Sequence, residues 1–159
     1  MIIKYSLHRK EGDINYNSLS TILKGDWIDI FTNEDVEIKK GTTDFVSTGL
    51  NLIMPPGIEC HLLLRSSTPK KYGVMLAHSM GIIDNSFKGP DDIIKLHLYS
   101  FNRNTFIPRG TRIAQVKFVP SQKATIWQKL KWLFSRKLRF KCVETNTSEN
   151  RGGYGSTDL

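Results

Sequence analysis

The 159-residue sequence lacks long apolar runs, closely spaced cysteines, and any acidic residue in its most basic segment. No stretch approaches the ~20 apolar residues of a membrane-spanning helix, and "MIIKYSLHRKEGD" turns polar too early for a signal peptide. Cys60 and Cys142 are too far apart in sequence to match a zinc-binding spacing. These absences argue against a membrane span, a disulfide scaffold and a structural zinc site, and they predict a cytoplasmic protein.

The net charge of +8 is concentrated in one segment. Residues 121–141, "SQKATIWQKLKWLFSRKLRFK", carry seven Lys or Arg residues and no acid. The rest of the chain is nearly balanced, so the charge indicates a local basic surface and not a general affinity for polyanions. We expect no stable nucleic-acid binding.

Short extended segments dominate the first 120 residues. They are rich in β-formers and are separated by Pro-Pro-Gly, Gly-Pro and Pro-Arg-Gly breaks at the spacing of all-β folds. The sequence predicts an all-β protein, a jelly-roll-like β-barrel over residues 1–120. An inserted basic amphipathic helix is predicted within 121–142, and a flexible linker with a glycine-rich tail over 143–159.

The predicted helix covers residues 124–140, where large apolar residues recur at helical spacing between lysines and arginines. These are Ile126, Trp127, Leu130, Trp132, Leu133, Phe134 and Leu138. The simplest interpretation is that this stripe packs on the barrel or on a neighbouring subunit. A membrane surface, a nucleic acid or a protein partner are the alternatives.

"GIIDNSFKG" (81–89) is the most informative motif. Two isoleucines deliver Asp84 at a strand end, and the turn that follows contains Phe87 and Gly89. Such an aspartate alone is more often a turn cap than a catalytic group.

Four other segments accompany this motif in a fixed order. "GDWIDI" (25–30) precedes it with Asp29 next to a strand, and "RSS" (65–67) offers a guanidinium and two hydroxyls suited to phosphate oxygens. "GTRIAQ" (110–115) places Gln115 on a strand, and the tail "RGGYGST" starts at Arg151.

Together, these five segments resemble the motifs of the trimeric deoxyuridine triphosphatase (dUTPase) family, including its phage- or prophage-type members. The resemblance implies a homotrimer of jelly-roll subunits that hydrolyses dUTP to dUMP and pyrophosphate with Mg²⁺. It also implies active sites between subunits, with the C-terminal tail of one chain closing a site built by others.

The resemblance also implies a role for each matching residue. Asp84 would activate the water that attacks the α-phosphate, and Asp29 would approach the metal through water. The nucleoside would be bound by the hairpin at 78–84 and two aromatic rings, that is by His78, Gly81, Ile83, Phe87 and Tyr154. The phosphates would be bound by Arg65, Ser66, Ser67, Gln115, Arg151, Ser156 and Thr157.

The sequence departs from the family pattern at four places. Phe87 replaces a more common tyrosine, and His78 stands where an asparagine is common. The tail is shorter between Arg151 and its aromatic residue, and "GPDDII" (89–94) carries extra residues, whose Asp91 and Asp92 are predicted to be surface or turn acids.

Two other functions are alternatives to dUTP hydrolysis. A dCTP deaminase of the same superfamily would need a carboxylate in "KLHLYS" (95–100), where this chain has His97. A binding or regulatory module that uses the helix or the 89–94 segment to contact a partner remains an alternative, since a fold alone does not settle function.

Overall fold

The computed structural model describes residues 1–8, 19, 26–135 and 137–154. The strands are β1 (Ile2–Leu7), β2 (Ile28–Phe31), β3 (Val36–Ile38), β4 (Thr43–Ser47), β5 (Leu50–Ile53), β6 (Ile58–Leu64), β7 (Val74–Leu76), β8 (Gly81–Ile83), β9 (Lys95–Ser100), β10 (Thr105–Ile107), β11 (Arg112–Pro120) and β12 (Arg139–Cys142). The helices are α1 (Thr68–Tyr72) and α2 (Ile126–Leu133).

These strands form three larger sheets and one strand pair. The largest sheet has the order β2-β11-β6-β8, and its neighbours have the orders β4-β9-β7 and β12-β1-β5. β10 pairs with β3. Every pairing except that of β12 with β1 is antiparallel, and the sheets enclose one apolar core. The predicted all-β, jelly-roll-like fold is confirmed.

The core follows from the two-residue period of the strands. In β6, Ile58, Cys60 and Leu62 point inward and are buried, while the residues between them are partly exposed. Burial raises the pKa of the Cys60 thiol far above its ordinary value, so this thiol is a small apolar core group.

The basic helix is shorter than the sequence predicts. α2 begins after Thr125, whose hydroxyl accepts a hydrogen bond from the Gln128 N–H at 3.3 Å, while the Gln128 side chain accepts one from the Thr125 N–H at 2.7 Å. The helix ends at Leu133, and residues 139–142 form β12 beside β1. The prediction of a helix to residue 140 is wrong because the open edge of β1 offers backbone partners that local periodicity does not reveal.

The apolar stripe of the basic segment packs only in part on its own barrel. Ile126, Trp127, Leu133 and Phe134 are 64%, 76%, 73% and 77% exposed, whereas Trp132 packs against the core. The interpretation that the stripe packs on the barrel holds for Trp132 and Leu138 but is wrong for the four exposed residues, whose contact with a neighbouring subunit or partner stays a prediction. None of the helices in the described ranges has the length and hydropathy needed to cross a membrane.

The segment after β12 is held along the barrel. The Val143 N–H donates to the Tyr5 carbonyl at 2.8 Å, and the Asn146 amide donates to Asn51 Oδ1 at 2.9 Å and to the Lys88 carbonyl at 2.7 Å. The sequence predicts a flexible linker here, but the structure gives this segment defined contacts that lead it toward the 81–89 hairpin.

Candidate active site

Asp84 lies at the end of the short strand β8. It directly follows Ile83, which pairs with Cys60 of β6. One carboxylate oxygen of Asp84 accepts hydrogen bonds from the Ser86 N–H at 2.8 Å and the Ser86 hydroxyl at 2.5 Å. The side chain is still 46% exposed, so a water molecule or a ligand can reach it.

The surroundings of Asp84 favour its charged form. Partial burial raises the pKa of the carboxyl, but the Ser86 hydroxyl, the Ser86 and Phe87 N–H groups and the Arg151 guanidinium together lower it below its usual value. The Asp84 carboxylate is therefore ionised at neutral pH and can accept a proton.

A cavity opens beside Asp84, and we call it the Asp84 pocket. It contains seven of the residues predicted from the sequence, namely His78, Gly81, Ile83, Asp84, Phe87, Arg151 and Tyr154. Sequence reasoning missed its remaining lining residues, which are Leu62, Met80, Ile82, Ile94, Lys95 and Gly153. The hairpin and the C-terminal tail of the same subunit thus share one cavity.

Aromatic rings form one side of this pocket. Phe87 is only 8% exposed, and its ring meets that of Tyr154 edge-on with the centroids 5.9 Å apart. A Cβ atom on Gly153 would lie 3.0 Å from the Phe87 ring, so a side chain there would require the ring or the tail to shift by a few tenths of an ångström. The Tyr154 ring also meets Phe45, which stacks on His97 at 4.3 Å.

Hydrogen bonds of the Tyr154 hydroxyl hold its ring at the start of β9. It accepts a hydrogen bond from the Lys95 N–H at 2.7 Å and lies 3.3 Å from the Ile93 carbonyl. Burial raises the pKa of Tyr154, the Lys95 hydrogen bond lowers it, and the Asp92 charge raises it further, so the net direction is upward. The phenol therefore stays neutral at physiological pH.

Asp92 closes a turn, as the sequence predicts, with its N–H donating to the Gly89 carbonyl at 3.1 Å, but it is a buried acid and not a surface one. It is 2% exposed, and its carboxylate accepts hydrogen bonds from the N–H groups of Gly89, Arg151 and Gly152 at 2.8, 2.9 and 3.0 Å. Burial of this charge is possible because backbone donors from two separate segments converge on it. No local sequence signal reveals that convergence.

A second cluster, which we call the Arg65 pocket, lies where β2, β6 and β11 meet. Asp29 pairs with the Arg65 guanidinium at 3.1 Å and with the Arg112 guanidinium at 3.3 Å. The lining residues are Trp27, Asp29, Arg65, Ser66, Ser67, Arg112 and Gln115. Two guanidiniums around one carboxylate, with two hydroxyls and an amide nearby, suit an anionic ligand such as a phosphate.

The sequence predicts every member of the Arg65 pocket except Trp27 and Arg112. The strand register explains the grouping, since Gln115 lies opposite both Asp29 and Leu63. Both oxygens of Asp29 pair with guanidinium groups. That Asp29 approaches a metal ion through water stays a prediction. Ser156 and Thr157 lie outside the described residues.

The two pockets lie at opposite ends of β6. The pairing of Ile83 with Cys60 puts Asp84 level with Glu59, whereas Arg65 directly follows the other end of the strand. Glu59 and Arg65 are six residues apart, so a rise of about 3.3 Å per residue places Asp84 and Arg65 about 20 Å apart along the strand. A single subunit therefore does not bring Asp84 together with Arg65, Ser66 and Gln115.

The jelly-roll-like barrel, with one aromatic carboxylate pocket and one guanidinium pocket, defines a protein equipped for a nucleoside phosphate. The family model for dUTPase matches residues 28–137, and the chain belongs to the dUTPase family. This confirms the family that the sequence motifs predict.

Similar proteins include phage-type members of the family. The SPbeta prophage-derived deoxyuridine 5'-triphosphate nucleotidohydrolase YosS of Bacillus subtilis is 35% identical over 147 residues, which cover 91% of this chain and 92% of the relative. The deoxyuridine 5'-triphosphate nucleotidohydrolase of Rickettsia prowazekii is 29% identical over 79% of this chain and 76% of its own.

Solved structures show the same fold. The dUTPase of Streptococcus mutans superposes with a TM-score of 0.64 at 25% identity, over 76% of this chain and 98% of that one. The dUTPase of phage phi11 of S. aureus has a TM-score of 0.62 at 16% identity, over 92% of this chain and 99% of its own.

Proposed function

We propose that the protein is a dUTP diphosphatase that hydrolyses dUTP to dUMP and pyrophosphate as a homotrimer with shared active sites. The observation that carries this proposal is the Asp84 pocket, where an ionised carboxylate lies beside an aromatic nucleoside-sized cavity. Family membership and the relatives named for this reaction support the choice of substrate.

In this mechanism, Asp84 orients a water molecule and accepts its proton as the water attacks the α-phosphate. The carboxylate is suited to this task because Ser86 holds one of its oxygens in place and leaves the side chain open to the cavity. General-base catalysis of this kind contributes about 100- to 10,000-fold to a rate.

The nucleoside lies between the 78–84 hairpin and the aromatic side of the pocket. The Phe87 ring packs against the deoxyribose and leaves no room for a 2′-hydroxyl, and Tyr154 covers the base. The uracil edge is read by backbone groups near Gly81 and Ile83, and the His78 imidazole supplies at most one further hydrogen bond.

The phosphates are bound by the Arg65 pocket of a neighbouring subunit. A general base and the phosphate ligands must meet on one short triphosphate, but within a subunit they are separated by the length of β6. Pairing the Asp84 pocket of one subunit with Arg65, Ser66, Ser67 and Gln115 of the next resolves this separation. Three such pairings close a cyclic trimer.

Arg151 is placed to contact either Asp84 or a phosphate. Its guanidinium lies 3.4 Å from the Asp84 carboxylate. A triphosphate offers this guanidinium a more highly charged partner, so binding draws Arg151 toward the phosphates. Asp84 then loses a positive neighbour and becomes a stronger base. Ser156 and Thr157, further along the tail, are proposed phosphate ligands.

Magnesium would enter this site bound to the phosphates of the substrate. Among the described residues, no group of three or more His, Cys, Asp and Glu side chains is placed to hold a metal ion. Mg²⁺ keeps several waters and binds phosphates with few protein groups, so Asp29 is the acid that would contact its water shell. The ion would supply charge neutralisation on the triphosphate.

Two other functions fit less well. For a dCTP deaminase, the strand position that needs a carboxylate holds His97, whose ring stacks on Phe45. A regulatory role in partner binding is the second candidate, favoured by the exposed stripe on α2. A cytoplasmic location and the lack of stable nucleic-acid binding remain predictions.

The test of the proposed function is a steady-state assay of pyrophosphate release with four nucleotides and Mg²⁺. We expect rapid turnover of dUTP and far slower turnover of UTP, dTTP and dCTP. Ammonia release from dCTP would instead identify a deaminase, and no release from micromolar dUTP would refute the proposal.

A further inference from the structure

The loop of residues 65–67, which carries three of the proposed phosphate ligands, is closed at its base by Thr68. Both serines of this loop are exposed, whereas Thr68 is 2% exposed. The Thr68 N–H donates to the Arg65 carbonyl at 2.9 Å, which closes a tight turn. The Thr68 hydroxyl donates to the Ile113 carbonyl at 2.7 Å, and the Arg65 N–H donates to the same carbonyl at 3.1 Å. One carbonyl of β11 therefore holds both ends of the turn.

This carbonyl lies at a β-bulge. The pairing of β11 with β2 shifts register between Arg112 and Ala114, and the neighbours Ile113 and Ala114 are both buried. In a regular strand, residues three positions apart face opposite sides of the sheet. The extra residue of the bulge lets Arg112 and Gln115 face the same side, where both line the Arg65 pocket. The bulge that aims these two side chains is thus also the attachment point of the 65–67 loop.

The helix that follows the loop is held at its other end as well. The Arg103 guanidinium donates to the carbonyls of Lys70 and Lys71 at 3.3 Å and 2.5 Å, in the last turn of α1. Thr68 is the first residue of this five-residue helix. The 65–67 loop therefore lies between strand β6 and a helix that is fixed at both ends, and Thr68 provides the fixed point next to the phosphate ligands.

We propose that Thr68 is a positioning residue for phosphate binding. Its buried hydroxyl holds the 65–67 loop on the β11 bulge and so sets the distance from the loop's guanidinium and hydroxyls to Arg112 and Gln115. Thr68 acts through these residues, because it is too deeply buried to contact a ligand. Recognition of phosphate by guanidinium groups depends on their geometry, so a loop that moves on the bulge binds phosphate less tightly.

The hydroxyl is the part of Thr68 that carries this role. Without it, the turn keeps the hydrogen bond from the Thr68 N–H to the Arg65 carbonyl but loses one of its two bonds to Ile113. All of these contacts are buried within one barrel and do not involve a second subunit. The inference rests on the proposed function for the ligand of the Arg65 pocket, but not for the attachment of the loop to β11.

Hydrogen exchange, resolved to single amides in the full-length protein, measures this attachment without a ligand. Thr68→Val keeps the size of the side chain but cannot donate a hydrogen bond. One such bond changes an equilibrium by about two- to tenfold, so we expect the amides of Arg65 and Thr68 to exchange at least about threefold faster relative to those of β6. Thr68→Ser keeps the hydroxyl and should restore the wild-type ratio. An unchanged ratio in Thr68→Val would overturn the proposal.

Calorimetry with pyrophosphate and Mg²⁺ distinguishes positioning from a general structural role. The Kd for pyrophosphate should rise at least about threefold in Thr68→Val and return to the wild-type value in Thr68→Ser. Deoxyuridine, which carries no phosphate, should bind both variants as it binds the wild type. Loss of deoxyuridine affinity by the same factor would show that Thr68 acts on the whole fold and not on the Arg65 pocket.

Thr48→Val is the matched control for the loss of a buried hydroxyl. Thr48 is fully buried, and its hydroxyl donates to the Ile94 carbonyl at 2.7 Å, at the end of the barrel that carries the Asp84 pocket. This variant loses an equivalent hydrogen bond but should change the Kd for pyrophosphate by less than about twofold. An equal rise in both variants would overturn the positioning role. If the wild type binds no pyrophosphate, the proposed function of the Arg65 pocket fails, while the exchange ratio still decides whether Thr68 holds the loop.

Discussion

The Asp84 pocket and the Arg65 pocket are built in different ways. The first is aromatic, and it is assembled from a hairpin, an irregular loop and the C-terminal tail. The second is rich in guanidinium groups, and it lies where β2 and β11 meet the end of β6. A single subunit therefore carries two pockets about 20 Å apart along β6, which the proposed function assigns to the nucleoside and to the phosphates. The difference indicates that each pocket is preformed within a subunit, and the proposed function requires assembly of subunits to bring two such pockets together.

Removing the base from the Asp84 pocket should have the largest effect. Asp84→Asn keeps the shape of the side chain but cannot accept the proton of the attacking water, so we expect kcat for dUTP to fall about 100- to 10,000-fold. Binding of a non-hydrolysable dUTP analogue, measured by calorimetry, should persist. Asp91→Asn serves as the control acid in the next loop, and a similar loss in that variant would weaken the assignment.

Changing the sugar-facing ring should affect selectivity more than rate. Phe87→Leu keeps an apolar side chain in a buried position but gives up the flat surface against the deoxyribose. We expect the ratio of kcat/KM for dUTP over UTP to fall about tenfold, within the range that one hydrophobic contact can discriminate. Phe87→Tyr keeps the ring and should preserve the ratio; an unchanged ratio in Phe87→Leu would remove Phe87 from sugar selection.

The acid limb of the pH profile should depend on Ser86. Its hydroxyl donates to the Asp84 carboxylate and helps hold the Asp84 pKa below its usual value. Ser86→Ala removes that donor, so the pKa rises and less of the base is ionised at acidic pH. We expect kcat/KM to fall at a higher pH on the acid side with little change near neutrality. Ser86→Thr keeps the hydroxyl, so kcat/KM should fall at the same acidic pH as in the wild type. If kcat/KM of Ser86→Ala also falls at the wild-type pH, this account is contradicted.

The smallest effect is expected on the exposed face of α2, away from both pockets. Trp127→Ser together with Phe134→Ser should leave dUTP kinetics unchanged and shift the free energy of unfolding by no more than about 0.5 kcal/mol per site if nothing covers this face. Trp132→Ser is the matched control, because Trp132 packs against the core and its loss should be destabilising. A strong effect of the exposed pair on trimer formation would identify the stripe as a subunit contact.

Residues whose position depends on nearby sequence could be predicted, and residues whose position depends on distant partners could not. Asp84, Phe87 and Arg65 belong to short motifs that carry their own strand ends and turns, so the sequence identifies both the residues and the family. Asp92 reads as a turn acid, since its donors at Arg151 and Gly152 lie about 60 positions later in the chain.

The basic segment shows the same limit. Apolar spacing alone continues the helix through Leu138 and Phe140, but β1 draws residues 139–142 into a parallel strand pair. Arg112 was likewise missed, because its role depends on the pairing of β11 with β2, which brings it to Asp29. In each case, tertiary pairing overrides a local pattern.

Complementation between two inactive variants tests the shared site most directly. Asp84→Asn disables the Asp84 pocket and Arg65→Ala disables the Arg65 pocket, so each homotrimer should turn over dUTP poorly. If a site takes one pocket from each of two subunits, randomly mixed trimers should contain intact sites at about a quarter of positions and recover turnover in proportion. Absence of recovery in trimers shown to be mixed would contradict the account, because it would mean that both pockets act within one subunit.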